Sequence, residues 1–271
     1  MNKSMQKFKQ KKSKFVGDDG VKTPLEMMHF LPFAIQKRRI NENGEKMPVK
    51  VVKDYGNFYL EYIAPEPINI TDIKRLIGIF KFFQDNEKNI ITSEIPTPGG
   101  KKIVISINNI SFFQFCKHYT NCGKGNEKNI AESLSRLNNY TIIRTKKTNT
   151  INKIPTKYLY DYSIKDNIAS FSVLKTVYDR IKKEGLILKF DTLLKIKGNV
   201  AVSLYIFLIS QNKLTFKEST IFNAIGLSDS RESRRELKEA FYQLRTIQFL
   251  TFKDDKLIRK EKDGNYYGFI Y

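Results

Sequence analysis

Two cysteines, two histidines and no tryptophan occur in 271 residues, and each scarcity removes a class of explanation. Cys116 and Cys122 cannot build the multi-bridge framework on which small secreted domains rely. A rolling-circle nickase holds its metal with closely spaced histidines beside a nucleophilic tyrosine, and His29 and His118 cannot assemble such a site. The fourteen tyrosines are therefore read as core and groove-lining residues. No apolar run approaches the roughly 18 residues that a spanning helix needs. The N-terminus carries lysine but no apolar segment or cleavage site, so it is not read as a secretory signal. The expected location is cytoplasmic. The lack of Trp, with abundant Lys, Asn and Ile, fits an AT-rich coding genome and says nothing of function.

Acid is scarce as well: 28 Asp and Glu stand against 48 Lys and Arg, a formal net charge of +20 with a pI near 9.7. A surplus of that size calls for an anionic partner, either nucleic acid or an acidic membrane. Hydrophobic residues make up 41%, enough for one or two ordinary cores and too many for a disordered chain. Catalytic signatures are missing. No Gly-x4-Gly-Lys-Ser/Thr segment occurs, so Gly123-Lys124-Gly125 is a turn and not a phosphate loop. Cys116, His118 and Cys122 invite a metal reading, but Cys116 and His118 fall on different helix faces and a structural zinc needs four ligands. No metal and no cofactor is expected, and the chain is read as a non-enzyme.

Residues Met1–Val16 hold six lysines and no acid, and residues 1–22 read as a disordered basic tail. Thr23–Phe33 contains a short apolar patch. Val49–Val52 and Asn57–Ile63 suggest strands, stopped by Ala64-Pro65-Glu66-Pro67. Thr71 is placed as the cap of a helix with Ile73, Leu76, Ile77, Phe80 and Phe83 at helical spacing. Ile90–Ile95 and Lys102–Ile107 flank Pro96-Thr97-Pro98-Gly99-Gly100 as a β-hairpin. Helices follow over Ile110–Tyr119 and 126–138. On the second, Ile130, Leu134 and Leu137 share one face, while Lys128, Asn129, Ser133 and Arg136 look the other way. Tyr140–Arg144 and Lys157–Ile164 are expected to pair around a loop at Thr145–Thr156. Between Tyr140 and Tyr160 lie five basic residues, Lys146, Lys147 and Lys153 among them, and no acid. Ser170–Glu184 fits strand or helix; a hairpin turning at Lys182–Gly185 into Leu186–Phe190 is preferred.

The pattern then restarts. Val200–Ser210 is nearly all apolar and must be a central helix, and Phe216–Ile225 is a second helix ended by Gly226. The most informative stretch is Ser228–Tyr271. Asp229 opens a helix, with Glu232 three residues on as a capping box. Leu237, Ala240, Phe241, Leu244 and Ile247 form one apolar arc. Arg231, Arg234, Arg235, Lys238, Tyr242 and Arg245 gather opposite, and Glu232, Glu236 and Glu239 share one flank. Phe249–Phe252, the charged segment 253–265 carrying Lys256 and Arg259, and Tyr266–Tyr271 read as strand, loop, strand. Such a helix can enter a major groove and read base edges, while the charged hairpin lies along phosphates. The order of three helices and a two-stranded wing thus occurs twice, by pattern and not by identity.

The segment Phe190–Tyr205, with Ala201-Val202-Ser203-Leu204-Tyr205 as an "Ala-x-x-Leu-Tyr" helix, resembles the opening of the second winged helix in plasmid replication initiators. Arg235–Ala240, followed by a wing, resembles the same family. The layout extends over about 69–271, but the specific motifs lie within 190–250. The resemblance implies an α+β fold of two tandem winged-helix domains behind the basic tail, divided as 1–22, 23–185 and 186–271. It implies binding to double-stranded DNA at direct origin repeats (iterons), opening of the duplex for host replication proteins, and association with plasmid or nucleoid. The second winged helix would dominate reading; the first would add DNA contacts or mediate a homodimer. Residues 1–63 match nothing in that family.

Two rival readings share the fold class. One is a winged-helix transcriptional regulator. The other is a winged-helix protein-interaction module whose charge serves a membrane or RNA surface, since fold alone does not settle function. The basic stripe argues for DNA, because the centres of protein interfaces are depleted in lysine and charge.

Overall fold

The computed structural model describes residues 20–24, 48–54, 58–97, 100–120, 127–147, 149–211, 215–249, 251–252, 259–261 and 264–270. The basic tail through residue 19, the apolar patch beyond residue 24, the Cys122 turn and Lys256 lie outside the described residues. The chain divides into two compact units, residues 36–183 and residues 1–35 with 184–271. Residues 20–22, placed in the tail by sequence, belong to a strand, β1 (Gly20–Thr23).

In the unit of residues 36–183, β2 (Val49–Asp54) and β3 (Phe58–Ala64) form an antiparallel pair. Alternation along β3 buries Leu60, Tyr62 and Ala64, the period-two signature of a half-buried strand. Helix α1 spans Ile70–Asp85. Its cap is Asn69 and not Thr71: the Asn69 Oδ1 accepts from the Asp72 amide and the Asp72 Oδ2 accepts from the Asn69 amide, both at 2.9 Å, a reciprocal capping box. Helix α1 buries Ile73, Leu76, Ile77, Ile79, Phe80, Phe82 and Phe83. Gly78 permits a close approach, since a Cβ there would stand 2.2 Å from the Tyr119 carbonyl oxygen.

Strands β4 (Ile91–Thr97) and β5 (Gly100–Ser111) form the expected hairpin. Helices α2 (Phe112–Tyr119) and α3 (Glu127–Asn139) follow. The next strands differ from expectation. β6 (Thr141–Lys146) pairs with β7 (Asn149–Thr156), so the anticipated loop at Thr145–Thr156 is mostly strand. β7 ends the sheet order β2-β3-β6-β7, an edge where Pro155 and a register shift are tolerated. The expected pairing of Tyr140–Arg144 with Lys157–Ile164 does not form: the first segment lies in this four-stranded sheet as β6, between β3 and β7. β8 (Asp161–Lys165) pairs instead with β9 (Ile168–Leu174), giving the order β4-β5-β9-β8. The hairpin preferred for Ser170–Gly185 is replaced by β9 and a helix, α4 (Lys175–Glu184), which buries Val177, Tyr178 and Ile181 at helical spacing. Rings on α1 pack edge-on against distant ones: Phe80 against Tyr158, between β7 and β8, and Phe82 against Phe171 on β9. Tyr62 stacks on Tyr140 at 6.1 Å. The Tyr62 hydroxyl accepts from the Ile68 amide and that of Tyr140 from the Tyr158 amide. Burial raises both phenols far above the usual tyrosine range.

In the other unit, β10 (Leu186–Lys189) pairs antiparallel with β1, Gly20 opposite Lys189 and Thr23 opposite Leu186. After α5 (Phe190–Lys195) comes α6 (Asn199–Ser210), buried continuously from Ala201 to Leu208 and so central, as its composition requires. The Tyr205 hydroxyl ties α6 to β10, accepting from the Lys189 amide at 3.0 Å and donating to its carbonyl at 3.1 Å. Phe216 is not helical; it lies on β11 (Thr215–Lys217), and α7 begins at Glu218 and runs to Ile225. Gly226 adopts φ 80° and closes α7 through its amide to Phe222, the left-handed position that glycine takes without strain. Helix α8 (Arg231–Thr246) is followed by β12 (Thr251–Phe252), β13 (Arg259–Glu261) and β14 (Gly264–Ile270). β14 pairs with β11, β12 and β13, all antiparallel.

Candidate nucleic-acid interface

Helix α8 begins one residue later than its acid pattern suggests. Ser230 is the cap, its Oγ accepting from the Ser233 amide at 3.1 Å and donating to the Ser233 Oγ at 3.0 Å. Neither an Asp229 cap nor a Glu232 capping box forms. Asp229 instead meets the Arg234 guanidinium at 2.5 Å. Leu237, Ala240, Phe241 and Leu244 are buried, whereas Ile247 is the half-buried C-cap. A serine, Ser233, extends the inward face that reading by hydrophobicity alone assigns only to apolar residues.

On the outward side Arg231, Arg235, Lys238, Tyr242 and Arg245 are all exposed. Their spacing of four, three, four and three residues confines them to an arc of about 80° at 100° per residue. The stripe is about 21 Å long at 1.5 Å per residue. Arg234 stands at its border and is held from two sides: its Nε lies 3.3 Å from the Glu218 Oε2, and Glu218 is only 7% exposed. With Asp229 on the other side, Arg234 couples α8 to the start of α7. The Arg235–Glu239 contact is 3.7 Å between side chains about 70% exposed, so it leaves Arg235 essentially available.

The acidic flank has a physical cause. Glu236, Glu239 and Gln243 border a cavity of about 390 Å³ together with Lys197–Ala201. Those last residues are the N-terminus of α6, whose cap, Gly198, supplies no side-chain acceptor. Carboxylates there meet the positive end of the α6 dipole, and the Gln243 Oε1 accepts from the Lys197 amide at 3.1 Å. Glu236 and Glu239 thus face the N-terminus of α6, Glu239 also lying 3.7 Å from Arg235. Arg259 lies on β13 opposite Tyr266.

The residues expected to form a second outward face, in the unit of residues 36–183, separate into two groups. Lys128 and Asn129 are exposed on α3. Ser133 and Arg136 are not outward; this corrects the sequence reading. Ser133 is fully buried and its hydroxyl donates to Asp72. Arg136 reaches the same carboxylate through Nε and Nη2, both at 2.9 Å, and these hydrogen bonds raise its pKa further. Asp72 itself is fully buried. Beside it the Arg75 Nη1 donates to the Asn129 carbonyl at 2.7 Å. The clue in the sequence was the Asn69-x-x-Asp72 spacing, which marks a helix start but not the distant arginine. Lys147 sits at the β6–β7 turn, 2.7 Å from Asp54 and 4.7 Å from the centre of the Tyr59 ring. The Asp54 hydrogen bond raises its pKa. Lys146 and Lys153 lie on β6 and β7.

Cys116 is buried, and His118 contacts Gln114 at 3.1 Å. Among the described residues no cluster of His, Cys, Asp and Glu is arranged to hold a metal, and no helix is long and apolar enough to cross a membrane.

The fold defines a mixed α/β protein of two compact units, each with small antiparallel sheets packed by helices. It is similar to domains 2 and 3 of RctB. One RctB structure matches with a TM-score of 0.61 at 14% identity, covering 92% of this chain and 98% of that one. A second structure of RctB domains 2–3 matches with a TM-score of 0.53 at 11% identity, over 84% of each chain. No protein-family model matches the sequence, and no curated protein matches it.

Proposed function

We propose that this chain is a replication initiator: a sequence-specific double-stranded DNA-binding protein of two winged-helix units that acts at direct origin repeats, with α8 as the principal reading helix. One observation carries the reading. Helix α8 buries one face in its own unit and presents Arg231, Arg235, Lys238, Tyr242 and Arg245 as a continuous stripe, with strands β12–β14 following it. A helix docked in this way turns guanidinium groups outward, where guanine edges and phosphates can be met. The fold likeness to RctB, a replication initiator, supports the same reading, and the net charge of +20 supplies the electrostatic attraction. In this reading the protein works by binding and not by catalysis, on a plasmid origin of iterons. Its further partners are host replication proteins and a second copy joined through residues 36–183.

The test is selection of duplexes from a random pool by the full chain, followed by affinity measurement across salt. A site should be enriched, and its affinity should fall roughly 10³–10⁵-fold between about 50 and 200 mM salt if six to ten phosphates are contacted. Footprinting should then show protection of direct repeats of that site near the coding sequence. Equal affinity for a scrambled duplex, or a flat salt response, refutes the proposal. Protection of an isolated promoter site without repeats would favour a transcriptional regulator.

A further inference from the structure

Tyr242 is the residue on α8 that charge does not explain. It is 73% exposed, the most exposed of the large hydrophobic side chains among the described residues. It sits within the stripe, four residues after Lys238 and three before Arg245. Its backbone carbonyl accepts from the Thr246 hydroxyl, while among the described residues no hydrogen bond, ion pair or ring contact engages its phenol. Every other large side chain of α8 that is apolar faces inward: Leu237, Phe241 and Leu244 are buried. Solvation of a helix face is served by lysine or glutamate, so an aromatic ring held among cations marks a place where an apolar surface is to be met.

Resting on the reading of α8 as the DNA-reading helix, we infer that Tyr242 is a specificity-determining residue that recognises the 5-methyl group of thymine in the major groove. The cations around it cannot do this. Arginine and lysine read the acceptors of guanine, whereas the thymine edge offers one acceptor and a methyl group whose natural partner is apolar. Lys238 and Arg245, about 6 Å before and 4.5 Å after Tyr242 along the axis at 1.5 Å per residue, flank the ring and can hold phosphates or neighbouring guanines. The ring then reads a thymine beside the positions set by arginine.

The experiment uses the full chain and a duplex selected from a random pool. Each thymine of that duplex is replaced in turn by deoxyuridine, which removes only the methyl group. Wild-type protein should lose about fourfold in affinity at one position, the value of one buried methyl. Tyr242→Ala should bind the thymine duplex more weakly and show no uracil penalty at that position. Tyr242→Phe should retain the penalty, because the ring and not the hydroxyl makes the contact. Equal uracil penalties in wild type and Tyr242→Ala overturn the inference while leaving DNA reading by α8 intact. A Tyr242→Phe variant that behaves as Tyr242→Ala overturns it too. If no duplex is enriched at all, the DNA-binding proposal and this inference fall together.

Discussion

Replacing Asp72 by asparagine tests the buried cluster of the unit of residues 36–183. The native carboxylate accepts from the Asn69 amide, the Ser133 hydroxyl and two nitrogens of Arg136. Asparagine preserves shape and leaves one oxygen to accept, but it removes the charge and turns an amide NH2 toward donors. At about 1.5–3 kcal/mol for each hydrogen bond to a charged group, loss of one or two would cost roughly 3 kcal/mol. Arg136 moderates this, because its side chain is 13% exposed and can reach water at the cluster edge. Arg136→Ala should cost more, about 3–5 kcal/mol, since it strands a fully buried carboxylate. The double variant Asp72→Leu with Arg136→Met should recover much of that loss, as apolar replacements of buried pairs often do. Amide hydrogen exchange on the full chain is the suitable assay, because it reads α1 and α3 apart from the rest. Protection there should fall by about two orders of magnitude in Asp72→Asn, at 1.4 kcal/mol per decade. A change below about 1 kcal/mol, or an Arg136→Ala variant that loses DNA affinity with its stability intact, would refute the structural role and restore Arg136 to the DNA face.

Three further outcomes can be measured. Arg235→Ala should cost about 1–3 kcal/mol of cognate DNA affinity and relax preference at one base pair. Arg234→Ala should chiefly lower the melting temperature, because it leaves the buried Glu218 without its guanidinium; both are checked by paired melting and binding curves. Tyr62 and Tyr140 keep their protons in the folded state at pH values where free tyrosine ionises. Their contribution is complete below about pH 10 and is lost above it, at up to about 1.4 kcal/mol per pH unit for each ring. Urea unfolding from pH 9 to 11.5 should show this slope, and Tyr62→Phe with Tyr140→Phe should flatten it.

What could be read in advance was whatever depends on near neighbours in the chain. The Pro96–Gly100 hairpin, the apolar ladder of α1, the all-apolar α6 and the two faces of α8 follow from period and turn chemistry. The failures have two causes: local competition, as between Asn69 and Thr71 or Ser230 and Asp229 for a cap, and partners distant in sequence. Thr145–Thr156 reads as a polar loop until β6 is seen to need a neighbour. Lys175–Glu184 buries Val177, Tyr178 and Ile181 at helical spacing, and Tyr178 packs against the ring of Phe83, about 95 residues earlier. Ser133 and Arg136 look like a solvent face because the carboxylate that draws them inward is 61 and 64 residues away. The stripe on α8 was legible in direction but not in detail: Glu218 on α7 withdraws Arg234 from it, and no periodicity within α8 shows that.

The pairing of β1 with β10 gives the chain an unusual order of assembly. Thr23 and Leu186 are 163 positions apart, and joining them through an unstructured chain would cost roughly 4–5 kcal/mol in closure entropy by the logarithmic rule. Four residue pairs of ladder cannot meet that cost unless the intervening residues have already become compact. β1 therefore waits for β10, a partner that is made only after residues 36–183. A fragment beginning at Leu186 would keep β10 with its edge bare, an invitation to pair with other chains. Dissection of the protein into halves should accordingly retain residues 20–24 with the C-terminal unit, through a short linker in place of the insert.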